Sequence, residues 1–156
     1  MAITTAMATS FKVEILSGGH NFNTVNRALT ANTQDTFKIA LYTSTASYGA
    51  ATTAYISTNE ITNTAGSAYV AGGLALVITQ VPIATGTPNT TAYIDFQDST
   101  WSSASFTANG AMIYNTTNAN KTVATLSFGG DKTVTSGTFT IQYPAPGTGS
   151  SIIQIA

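Results

Sequence analysis

Residues 105–128, S-F-T-A-N-G-A-M-I-Y-N-T-T-N-A-N-K-T-V-A-T-L-S-F, carry the most legible structural signal in the chain. Asn109-Gly110 lies between two runs of β-forming residues, and both tolerate the positive φ of a two-residue type I′ turn. The spacing therefore predicts a tight hairpin, with Phe106 opposite Ile113 on one face and Thr107 opposite Met112 on the other. After the polar turn 116–120, Ala124, Leu126 and Phe128 alternate with Val123, Thr125 and Ser127, which predicts a third strand. A three-stranded meander with one apolar face needs an opposing layer from elsewhere in the chain.

Working outward, 36–43 (T-F-K-I-A-L-Y-T) alternates Phe37, Ile39 and Leu41 against Lys38, Ala40 and Tyr42 and reads as a strand. Further strands are expected over 69–82, bent or split at Gly72-Gly73, and over 92–96, 138–143 and 152–155, with Gly129-Gly130-Asp131 turning the chain. That makes seven to nine short strands with turn signals about every ten residues, the pattern of an all-β sandwich or jelly roll. Residues 1–9 read as an extended arm of small residues with too little bulk for a core. Ser10 reads as the cap of a short helix to about Leu16, with Phe11 and Ile15 four apart and Gly18-Gly19 ending it. Phe11, Val13 and Ile15 also alternate, so a strand competes there. Residues 18–36 read as a loop carrying His20 and Arg27. A second long loop, 44–66, holds Tyr48, Tyr55 and Glu60, and either hides short strands or forms an excursion toward a partner. The expected organisation is an arm, helix and loop over 1–35 and a sandwich domain over 36–156.

Only 7% of the 156 residues are Asp, Glu, Lys or Arg, against about 25% in an average globular protein. With 43% hydrophobic residues and mean hydropathy +0.15, the chain has the composition of a folded protein and not of a disordered one. Cysteine is absent, which removes disulfides and thiolate metal sites. A net charge of −1 provides no basic field for nucleic acid and no polybasic patch for lipid. The longest apolar run, 68–78, is broken by glycines and is well short of the ~20 residues of a membrane helix. The first twelve residues lack the pattern of a signal peptide, so a soluble protein outside the standard secretory route is expected.

Catalytic chemistry has little to draw on. His20, the only histidine, stands in G-G-H-N-F without a nucleophile motif or orienting acid nearby, and reads as a satisfied loop histidine or a contact residue. Asp95 and Asp98 could share a hard cation, but they lack the calcium-loop spacing and Asp98-Ser99-Thr100 more simply forms an Asx turn. Trp101 reads as a core filler; on an exposed rim it would be a sugar-stacking platform. Tyr42, Tyr48, Tyr55 and Tyr114 suit either a half-buried sheet or an interface. The sequons at Asn89, Asn115 and Asn120 are expected by chance in a chain this rich in Asn and Thr. No enzyme, cofactor or metal is expected.

Several segments together resemble a family of small structural proteins of tailed bacteriophages: T-S-F-K at 9–12, G-H-N-F at 19–22, D-T-F-K-I-A-L-Y-T-S at 35–44, Y-V-A-G-G from Tyr69, W-S-S-A-S-F-T-A-N-G-A-M-I-Y-N at 101–115 and L-S-F-G-G at 126–130. The resemblance is to head decoration, or cement, proteins. It implies a β-sandwich or jelly-roll subunit on the capsid exterior, commonly a homotrimer, with the major capsid protein as partner and no catalytic or cofactor site to carry over. The residues expected to meet the partner are Met1, Ala2, Ile3, Thr4, Thr5, Phe11, His20, Tyr48 and Tyr55. The alternative is a tail- or fibre-associated module that binds a receptor glycan through tyrosines and Trp101.

Overall fold

The computed structural model describes residues 2–23, 34–62, 68–85, 91–145 and 151–155, with backbone only for 83–85. In chain order the elements are β1 (Ala6–Met7), α1 (Thr9–Leu16), β2 (Phe37–Tyr42), β3 (Leu74–Leu76), β4 (Ile78–Thr85), β5 (Thr91–Phe96), β6 (Ser99–Asn115), β7 (Lys121–Ile141) and β8 (Ile153–Ile155). They form two antiparallel sheets, one ordered β1-β7-β6-β2-β3 and one ordered β4-β5-β8. The expected all-β sandwich is the observed architecture. The chain changes sheets at Val77 and again at 97–98, and Gln97 N donates to Val77 O at 2.8 Å, so the two crossings brace each other.

The alternation in β2 explains why the larger sheet is covered on both sides. Phe37, Ile39 and Leu41 enter the core between the sheets, with Ile94 and Phe96 of β5 and Ile153 of β8. Ala40 and Tyr42 face the opposite way into a second, smaller core. Phe37 stacks on Phe22 at 4.4 Å and meets Phe96 of the other sheet at 6.1 Å, so one ring ties the loop after α1 to both layers. Each such buried side chain contributes about 1.5–3 kcal/mol relative to exposure.

Residues 9–16 are helical, which decides between the helix and the competing strand. Phe11 is fully buried against the main core, whereas Leu16 is 90% exposed. Ser10 does not cap: the N-cap is Ala8, without a side-chain bond. The C-terminal end is as expected, with Gly18 at φ +77° and Gly19 N donating to Glu14 O at 2.7 Å.

The predicted hairpin turn at Asn109-Gly110 is not formed. β6 runs through both residues, and Gly110 pairs with Tyr42 on one side and Ser127 on the other. What the sequence disguises is an irregularity in pairing: Ala108 opposes Lys132 while Gly110 opposes Ser127, so residues 128–131 bulge out opposite Asn109. Asn109 Nδ2 spans this bulge to Asp131 Oδ1 at 2.8 Å. The parity of inward residues changes there, from Phe106 and Ala108 to Ala111 and Ile113. A tight turn produces the same change. Gly129 (φ +71°) and Gly130 (φ +146°) likewise belong to the bulge within β7 and not to a turn between strands. The turn at 116–120 is real and joins β6 to β7, with Ala119 and Asn120 at positive φ.

The N-terminal stretch is extended, but it contributes to a core after all. Ile3 is 3% exposed, and β1 pairs with β7. Over its described residues the long loop after β2 carries isolated bridges, Tyr42 to Glu60 and Ala54 to Lys121, in place of strands, and lies over the second face of the larger sheet. Met1, Arg27 and Asn89 lie outside the described residues.

Candidate partner-contact surface

Ile3 enters a slot on the second face of the larger sheet, among Ala40, Tyr42, Ala46, Met112 and Tyr114. Two glycines leave room for this segment, Gly110 for Ile3 and Gly49 for Thr4. A Cβ on Gly110 would lie 2.7 Å from Ile3 Cδ1, and one on Gly49 would collide with Thr4 Oγ1. Thr4 N donates to Tyr48 O at 2.9 Å, Ala8 N to Val123 O at 3.0 Å and Thr9 N to Ala50 O at 2.8 Å. Thr125 Oγ1 donates to Thr4 O, and Ser127 N to Thr5 Oγ1. The backbone of this segment is therefore matched to β7 on one side and to the loop after β2 on the other.

That loop is clasped by a buried carboxylate. Glu60 accepts hydrogen bonds from Tyr55 OH at 2.5 Å, Tyr69 OH at 2.6 Å and Gly72 N at 2.7 Å. Tyr69 OH in turn accepts from Leu41 N, and Tyr114 OH donates to Gly72 O. A carboxylate this buried is tolerated because three donors replace its water. Tyr55 stacks on Tyr114 at 4.5 Å, Tyr42 meets Tyr48 edge-on at 4.9 Å, and Tyr48 OH donates to Thr58 O. Burial, and then the nearby Glu60 charge, push these phenols up: Tyr114 to about 12, and Tyr42, Tyr55 and Tyr69 further still. They act as fixed donors, and the cluster works as a clasp that holds the loop against the sheet.

The result is one continuous surface. Ala2, Thr4, Thr5, Ser47, Thr53 and Thr58 are exposed on it, and neither 2–9 nor 43–59 contains an Asp, Glu, Lys, Arg or His. Of the expected contact residues, Ala2, Thr4, Thr5, Tyr48 and Tyr55 come together here. Ile3 is beneath them as an anchor, its side chain buried.

Phe11 and His20 lie elsewhere, with side chains enclosed in the main core. His20 sits at 4.8 Å from the Phe11 ring and joins a polar network. Asn115 Oδ1 accepts from Thr117 N and Asn118 N, which leaves its Nδ2 to donate to Asp35 Oδ2 at 2.7 Å and His20 Nδ1 at 2.9 Å. His20 Nε2 therefore donates to Glu14 Oε2 at 2.7 Å, a tautomer assigned from the network. Glu14 Oε1 also receives Lys121 Nζ at 2.8 Å. Burial pushes the Glu14 carboxyl up, but the hydrogen bonds from Lys121 and His20 and the charge of Lys121 outweigh it and hold the group below its ordinary value. The network ties α1 and the loop after it to the β6–β7 turn.

Trp101 is 4% exposed and packs with Phe106 and Phe139, so it offers no rim platform for a sugar. Asp95 is buried, with Oδ2 accepting from Thr79 Oγ1 at 3.0 Å and Oδ1 without a hydrogen-bond partner. Asp98 Oδ1 accepts from Tyr143 N at 2.9 Å, bracing the chain beyond β7 where an Asx turn was expected. Among the described residues no group of three or more His, Cys, Asp or Glu side chains is placed to hold a metal.

Sequence reasoning gave Glu60 and Asn115 no structural role and missed the packing role of Gly110. For Glu60 a signal exists: it is the only acidic, basic or histidine side chain between Lys38 and Asp95, and a lone charge in so long a neutral stretch needs a dedicated set of partners. Asn115 and Gly110 have no such local mark. No protein-family model, curated protein or solved structure matches the chain.

Proposed function

We propose that the chain is a structural protein that attaches to a larger assembly by broad surface contact, and that the assembly is the exterior of a tailed-phage capsid. In this reading it is a decoration subunit, trimeric on the shell, that bridges copies of the major capsid protein. The observation that carries the adhesive part is the uncharged surface formed by residues 2–9 and 43–59, held rigid by the Ile3 slot and the Glu60 clasp. A preorganised surface loses little conformational entropy on binding. Symmetry then multiplies weak contacts into avidity. The capsid as target is supported by the sequence resemblance. Quantitative mass spectrometry of purified particles tests it: hundreds of copies per particle are expected, and a handful would refute the proposal.

A further inference from the structure

We draw no further inference here: the strongest candidate, the largely apolar pocket of about 230 Å³ that Ile15, Phe22, Ile94, Ile153 and Ile155 line between α1 and the smaller sheet, carries nothing because nothing in the structure shows what covers it.

Discussion

Replacing Gly110 by alanine adds one methyl group where the fold has no room for it. The new Cβ would stand 2.5 Å from Leu126 O and 2.7 Å from Ile3 Cδ1. The first of these is backbone in the β6–β7 ladder, so either the ladder shifts or Ile3 leaves its slot. Gly110 is not among the glycines at positive φ, so the cost comes from space and not from backbone conformation. Overpacking of this kind costs about 1–3 kcal/mol. With two obstructions, one of them backbone, the upper half of that range is expected. Ile3→Ala removes one of the two, so in that background Gly110→Ala should cost about 1 kcal/mol less, an interaction a double-mutant cycle resolves. Urea denaturation of the parent, the two single variants and the double variant measures it. Had Asn109-Gly110 been a turn remote from the N-terminus, the two substitutions would add. Additivity within about 0.5 kcal/mol would therefore refute the packing account.

Glu60→Gln keeps the shape of the clasp but removes the charge and aims an amide at hydroxyl and N–H donors. A loss of about 2–3 kcal/mol is expected by denaturant unfolding, with a change in near-ultraviolet tyrosine dichroism. In acid, Glu14 has a folded pKa below its ordinary value of 4.5, so its contribution is complete above that pH and disappears as pH falls through the lower folded value. A stability-versus-pH series should show this loss in the parent and a flatter profile in Glu14→Gln. In alkali the sign reverses: phenols raised above 10, with Tyr143 and Tyr114 near 12, stabilise the fold below 10, and that stability is lost as pH rises toward the folded values. Absorbance titration should show the buried tyrosines ionising together with unfolding, and ionisation of all tyrosines near 10 in a still-folded chain would contradict it.

Signals that act between neighbours in sequence were readable, and those that depend on distant partners were not. The strict alternation of 37–42 marked β2, but that Ala40 and Tyr42 on its other face also enter a core became visible only in the fold. The end of α1 was legible in Gly18-Gly19 for the same local reason. Asn109-Gly110 carried a turn signal that the fold overrides. Gly110 is small because Ile3, more than a hundred residues earlier in the chain, needs the space, and the change of parity at Asn109 coincides with an irregularity in the β6–β7 pairing. The arm looked too slight for a core because Ile3 is useful only once Gly110, far along the chain, leaves room for it. At the contact surface, Tyr48 and Tyr55 could be named as candidates, since tyrosine suits both a half-buried sheet and an interface. The carboxylate that positions Tyr55 stands out as a lone charge, but its role could not be read, since its other partners, Tyr69 and Gly72, come from a different segment.

A three-dimensional reconstruction of particles carrying this protein tests the central proposal most directly. The account predicts density for it on the outside of the head, with the face made by residues 2–9 and 43–59 turned toward the shell. Density confined to the tail, or a head without it, would contradict the account.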